Sequence, residues 1–529
     1  MFRIVQQMIS CLVFFMALTL FSSAPANAET GIEMLTYYID LVISDNIESA
    51  QQYFTPESQR RAGRYGIEYI DVPLKIDCAS PLVRYPEIAH NLSPRPFSGE
   101  TTLAFDNYTR FKFIARVGDE SLDKYYYVYR SGDYNWLMFA QDYFAIGWDT
   151  VKTKYFSVIY NSEIEKYINP IVLDAADRFV ERVAKQLDIP KSDLKLLEKE
   201  KIAYFYCQSD NMVRDITGHF VKGTYDLPSD DLISAFFPHY HEITHFLVNF
   251  KLRRQHLYTM PLLREGVAVY YGGRWGKSST SILSMGGYIY REGVVDLDSI
   301  LTMSGFENSS GSDLAYPLAG LFTAYLFDAL GNDGYFEAYR RLSGPFDSLY
   351  NMSVTDVENI FVSALGKTSW DEVRTDFKTF LTNWLDNHAG LYPGVVDKGK
   401  KLVETDRLLI TESDGWISFT ATSPDSLPPE GNLLFGSQKK LAGLYSLLYE
   451  TQYNVDTAMP GYRFAVRFDR NEVGVYDYVT SHLLAKYIWG ISPSKEYYDE
   501  PTNTVRFRFP RELVDSKGPN KDDYELLEK

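Results

Sequence analysis

Cysteine is scarce in this sequence: only Cys11, Cys78 and Cys207 occur in 529 residues. A dense disulfide framework is thereby excluded, and stability has to come from buried apolar surface. One bridge between Cys78 and Cys207 stays open at this level. Long hydrophobic runs are equally rare. The single one, Met8 to Phe21, is broken only by Ser10, Cys11 and Thr19, and it leads into Ala26-Asn27-Ala28. A basic start, a short apolar core and an A-x-A site make residues 1–28 a secretory signal with cleavage after Ala28. A secreted or periplasmic location is expected, with no integral membrane segment once the signal is removed. Basic residues are also in deficit, 53 Lys and Arg against 70 Asp and Glu for a net charge of −17, which argues against a nucleic-acid partner.

What remains is abundant in aromatics, with 41 Tyr and 33 Phe. Such residues suit large β-rich cores first, and sugar- or peptide-binding clefts second. Roughly 500 mature residues exceed one core and predict about three domains. Apolar positions recur at helical spacing from Ile32 to Phe54, and strand-like runs follow at Ile67 to Ile76, Thr101 to Arg116, Tyr125 to Arg130 and Trp136 to Trp148. This helix-then-sheet order over residues 29–150 resembles the NTF2-like fold and implies an accessory α+β domain. From 151 to 389 the rhythm is strand, helix, strand and then mostly helix, with helices expected at Ile168 to Leu187, Tyr316 to Leu330, Val354 to Leu365 and Trp370 to Asn387. Gly390 to Lys401 reads as a linker. Beyond it, 402–529 reads as a second α+β domain, with strands at Trp416 to Thr422, Tyr462 to Phe468, Val473 to Tyr478 and Thr504 to Phe509, and a helical pattern at Ser437 to Tyr453.

One segment carries chemistry. Pro238-His239-Tyr240-His241-Glu242-Ile243-Thr244-His245 contains H-E-x-x-H, with Pro238 tolerated in the first turn of a helix that runs to about Leu252. Two imidazoles four residues apart share a helix face and reach one ion, while Glu242 stands one step round. The pentapeptide arises by chance in about one chain in a hundred, so its surroundings decide. Nineteen residues separate His245 from Glu265, which lies in Pro261-Leu262-Leu263-Arg264-Glu265-Gly266-Val267-Ala268-Val269-Tyr270-Tyr271-Gly272-Gly273. A Pro where a helix starts and a Gly pair where it ends put Glu265 on a second short helix.

These residues resemble the gluzincin peptidases, the peptidase MA-like or thermolysin-like group with its E-G-x-A helix. The resemblance covers roughly Lys152 to Asn387. It implies a zincin-like central domain with a helical C-terminal half, zinc held by His241, His245 and Glu265, and Glu242 as the general base for peptide hydrolysis. Tyr316-Pro317-Leu318-Ala319-Gly320-Leu321-Phe322 is similar to a further helix of the group, which makes Tyr316 the first candidate to stabilise the oxyanion. His219 and Tyr225 are the runners-up. Gly218 to Asp226 falls where the family has a substrate-pairing edge strand. The group usually places an acid four residues after the ligand Glu to orient a ligand His. Here that position is Val269, so another carboxylate or a backbone carbonyl has to hold the imidazole.

Other residues read more plainly. His239, two positions before His241, is expected on the opposite helix face in a surface or capping role. Cys207, on an expected buried strand, reads as an inert thiol. The whole is an α+β multidomain chain with two functional readings. One is an exported zinc peptidase acting on a peptide or protein substrate. The other is an inactive peptidase-like protein that binds peptides or glycans, for which an intact Glu242 has no purpose.

Overall fold

The computed structural model describes residues 30–510 except 85–96, 99–106, 118–119, 169, 275–278, 292, 311–313, 389–391, 397–398, 405, 424–430, 437–444, 449–461, 469, 471, 478–482 and 489–494. Residues 1–28, read above as a secretory signal, lie outside the described residues. The chain is mixed α+β, and among the described residues no helix is long and apolar enough to cross a membrane. It divides into two compact units, Met1–Lys152 with Ser157–Ser162 and Lys199–Ala235, and Thr153–Phe156 with Glu163–Glu198 and Phe236–Lys529. Its first stretch ends at Lys152, close to the boundary the sequence suggested at 150, and no division falls at 389–402.

The first unit opens with α1 (Gly31–Ile43), started by a capping box in which Thr30 and Glu33 satisfy each other's backbone N–H groups. Met34, Leu35, Tyr38 and Ile39 form its buried face. Asp45 at φ 58° interrupts the helical backbone, so the expected helix over 32–54 is two, α1 and α2 (Ile47–Gln51). Thr55 then caps α3 (Pro56–Gly63). The strand expected over 67–76 exists only at Glu68–Tyr69, and Lys75–Asp77 is one turn of 3-10 helix. Partners brought from elsewhere impose that turn: Asp77 accepts from Tyr38 at 2.7 Å and Tyr126 at 2.8 Å. The strands β1 (Tyr108–Val117), β2 (Glu120–Ser131) and β3 (Tyr134–Met138) form an antiparallel sheet in chain order, with Phe97–Ser98 on the β1 edge. Phe111, Phe113, Tyr126, Val128 and Leu137 face the α1 residues in one core. Trp136 to Trp148 is not one strand, because α4 (Ala140–Phe144) follows β3 and lays Tyr143 and Phe144 on Tyr127 at ring distances of 5.0 and 5.8 Å.

The same unit contains a five-stranded sheet of β4 (Asp149–Lys152), β5 (Phe156–Tyr160), β6 (Ile202–Tyr206), β7 (Gly223–Asp226) and β8 (Asp231–Ser234), in the order β4-β5-β6-β8-β7. Every residue of β6 is buried, as a central strand covered on both faces requires. The β7–β8 turn is held by charge. Asp231 pairs with Arg61 and with Arg64 at 2.6 Å, Asp230 pairs with Lys75, and Arg61 also reaches Asp142. Both Asp230 and Asp231 are fully buried, so each requires its cation.

The second unit is helical where it carries the candidate site. α5 (Pro170–Gln186) packs on α6 (Tyr240–Leu252), which packs on α7 (Pro261–Gly272). α7 in turn lies against α8 (Ser279–Arg291) and α9 (Ala315–Arg341), the latter kinked at Gly331 with φ 64°. α10 (Val354–Ala364) and α11 (Trp370–His388) complete the bundle. The expected linker is partly ordered into sheet. Tyr392–Pro393 joins β17 (Thr504–Pro510), β11 (Trp416–Thr422), β10 (Leu408–Ser413) and β9 (Lys400–Glu404) in one antiparallel sheet. A second sheet runs β13 (Tyr445–Leu448), β12 (Gly431–Gly436), β14 (Tyr462–Phe468), β15 (Glu472–Asp477), β16 (Leu483–Ile488). The helical reading of 437–453 falls mostly outside the described residues. Its described part, β13, is a strand paired with β12 where a helix was expected, and the described residues of 402–510 contain strands and no helix.

Candidate metal centre

α6 begins at Tyr240, two residues later than the proline suggested. Its buried face, Ile243, Phe246, Leu247 and Phe250, fixes the rotation of the helix, and His241 and His245 then emerge one turn apart with rings 4.8 Å from each other. α7 starts at Pro261 and is capped by Gly273 at φ 70°, the Pro and Gly punctuation having marked both ends. Gly266, next to Glu265, has a structural reason. A Cβ there would stand 2.3 Å from Thr323 Oγ1 and 2.7 Å from the Ala319 carbonyl of α9. At Gly272 a Cβ would stand 2.5 Å from the Tyr240 carbonyl of α6. The helix bearing Glu265 is thus pressed between the other two through its glycines.

His241, His245 and Glu265 converge, with ligand atoms all within 4.8 Å of one another. Glu265 Oε2 lies 3.1 Å from His241 Nε2 and 3.3 Å from His245 Nε2. Tetrahedral zinc with bonds near 2.0 Å separates its ligand atoms by about 3.3 Å. Glu265 Oε1 accepts from Arg264 Nε at 2.9 Å, which leaves Oε2 as the oxygen turned to the imidazoles. Burial opposes ionisation of Glu265. The charges of His245 and Arg264 and the bonds from both histidines outweigh it and hold the carboxyl well below the usual range.

The imidazole of His241 is oriented by a backbone carbonyl. Its Nδ1 lies 3.1 Å from the oxygen of Gly273, which can only accept, so Nδ1 is the N–H. Nε2 faces Glu265 Oε2 at 3.1 Å, a contact that either a proton on Nε2 or a cation between the two atoms satisfies. Val269, at the position where the resemblance led to an orienting acid being sought, offers no polar atom to an imidazole. It is fully buried, and a Cβ on Gly320 would stand 2.4 Å from its Cγ1.

His239 corrects its expected role. It precedes α6 with φ −95° and ψ 84°, makes no side-chain cap bond, lies with its ring tilted against that of Phe236 at 4.2 Å and brings Nε2 to 3.9 Å from Glu242 Oε1. Helical face arithmetic fails there because the residue is not helical. Burial, then the nearby His241, Arg274 and His245, push its pKa well below the ordinary imidazole value. The Tyr316 ring lies 6.4 Å from that of His241, with the Arg274 guanidinium over it at 3.3 Å. Tyr225 and His219 belong to the other compact unit, and the Tyr225 hydroxyl donates to Asp230 at 2.6 Å. Cys207 is buried and its thiol is pushed up to about 12 by desolvation, as suits an inert residue.

Sequence reasoning missed Arg264, the Gly273 carbonyl and Arg274. Arg264 adjoins a candidate ligand and was available as a signal. The other two sit at the end of α7, where only the fold brings them back to α6. Comparisons with protein-family models, with curated proteins and with solved structures return no match for this chain.

Proposed function

We propose that the chain is an exported zinc-dependent peptidase in which His241, His245 and Glu265 hold the metal. The observation that carries this reading is the pairing of His241, whose Nδ1 is directed to the Gly273 carbonyl, with a carboxylate facing both Nε2 atoms. The donor set, two imidazoles and one carboxylate on two helices, fits zinc with a position left for water or substrate. Zinc bound there supplies Lewis acidity and lowers the pKa of a coordinated water towards about 7. Glu242, on the ligand helix but outside the ligand set, takes a proton from the attacking water and returns it to the leaving amine. Tyr316 is the candidate donor to the oxyanion. The central region is read as zincin-like. The helices and antiparallel sheet of residues 31–138 support an NTF2-like accessory role, and the α+β character as a whole accommodates both.

The test is zinc content of the purified mature chain by elemental analysis, with hydrolysis of a mixed peptide library. We expect about one zinc per chain. It should be lost in His245→Ala and retained in Glu242→Gln, with cleavage abolished in both. Zinc without cleavage by the wild type would favour the peptide- or glycan-binding reading, and absence of zinc would remove the site.

A further inference from the structure

Tyr316 is the second residue of α9, its side chain is only partly buried, and its ring is 6.4 Å from the imidazole of His241. A tyrosine in the first turn of a helix keeps two side-chain torsions to settle, so contacts from outside the helix decide where its hydroxyl stands. Two such contacts exist. The guanidinium carbon of Arg274 lies over the ring, 3.3 Å from its centroid. An approach that close is possible only at a face of the ring, since in its plane the rim atoms intervene. The ring of Phe306, on the helix Met303–Ser310, meets it at 5.3 Å and 73°. Phe306 is fully buried and makes a fixed wall. The phenol is also within electrostatic reach of Arg264, the residue that holds Oε1 of Glu265. Arg274 directly follows Gly273, whose carbonyl faces His241 Nδ1. One short segment at the end of α7 therefore touches a candidate ligand through its backbone and the candidate oxyanion donor through its next side chain.

We infer that Arg274 is a positioning residue for Tyr316: its cation on the ring face, together with Phe306, sets the phenol where the hydroxyl meets the oxyanion. This inference rests on the metal reading above and on Tyr316 as the donor. A cation at the ring also polarises the phenol, which strengthens the bond it donates to a developing negative charge.

The test uses the zinc-loaded full mature chain, a peptide that the library shows to be cleaved, and the phosphinic analogue of acetyl-glycyl-leucine amide, whose tetrahedral anion stands in for the oxyanion. Arg274→Gln is expected to lower kcat at least about tenfold with KM within about twofold, the pattern of an interaction made in the transition state. Calorimetry should show the phosphinate weakened by the same factor, with zinc content unchanged. Arg274→Lys, which keeps a cation for the ring, should recover part of both losses. Phe306→Leu should act in the same direction as Arg274→Gln, and it gives an independent reading should Arg274→Gln not fold. Tyr316→Phe removes the donor and should lower kcat about a hundredfold, and Arg274→Gln added to it should cost nothing further. An unchanged kcat in Arg274→Gln, a loss confined to KM, or a loss equally large in the Tyr316→Phe background overturns the inference, while cleavage by the wild type leaves the peptidase reading standing. Absence of zinc, or zinc without cleavage, removes the peptidase reading and this inference with it.

Discussion

Two oxygens of one side chain do different work in the candidate site. Glu265 Oε2 faces both imidazoles, while Oε1 is held by Arg264 at 2.9 Å. Loss of that hold frees the carboxylate to rotate or to chelate differently. Removing such an outer partner usually weakens metal binding about tenfold to a hundredfold. Arg264→Gln is expected to do so in a chelator competition assay, with Arg264→Lys in between, and an unchanged zinc affinity would dismiss Arg264 as a positioning residue. The convergence of His241, His245 and Glu265 was legible, because H-E-x-x-H and a distant E-G-x-A are local patterns. Arg274 was not, since nothing in a loop after two glycines announces which aromatic ring it will meet.

Elements were legible where apolar runs or Pro and Gly punctuation mark them locally. The Pro and Gly at the two ends of α7 marked it within a residue, and β6, β11 and β14 fall where apolar runs placed them. Readings failed where partners from far along the chain impose the backbone: the turn at Lys75–Asp77 that serves Asp77, and α4, whose aromatic side chains pack on β2. Glycine contacts give a test at this scale. Gly266→Ala puts a methyl into Thr323 and Ala319, and overpacking of this kind costs about 1–3 kcal/mol. Urea unfolding followed by circular dichroism should show that loss, with weakened zinc binding because Glu265 moves with α7. Gly63→Ala, with nothing within 4 Å, is the contrasting case and should be neutral or slightly stabilising.

For the molecule as a whole, no bridge between Cys78 and Cys207 contributes to stability. Cys78 and Cys207 are both buried and form no disulfide, and the Cys207 thiol is raised to about 12, so it stays protonated at neutral pH. Dithiothreitol is expected to leave Tm unchanged, and neither cysteine should react with a thiol reagent at pH 8 until the chain is denatured. A Tm lowered by the reductant would contradict the free thiols. The buried charges of the first unit act at the same scale. Arg61 and Asp231 are 170 residues apart in sequence and meet only in the folded state.

The sequence alone determined the elements whose signals are local: the H-E-x-x-H and E-G-x-A helices, their Pro and Gly boundaries, and the scarcity of thiols. Side-chain spacing and backbone punctuation act over a few residues, and one chain is enough to read them. Only the tertiary structure decided that the Gly273 carbonyl orients His241, that Arg264 takes one oxygen of Glu265, and that His239 turns towards Glu242. Those contacts follow from α6, α7 and α9 packing through glycines at one particular distance. A hydrogen bond tolerates a few tenths of an ångström, and that precision exists only once the helices have met.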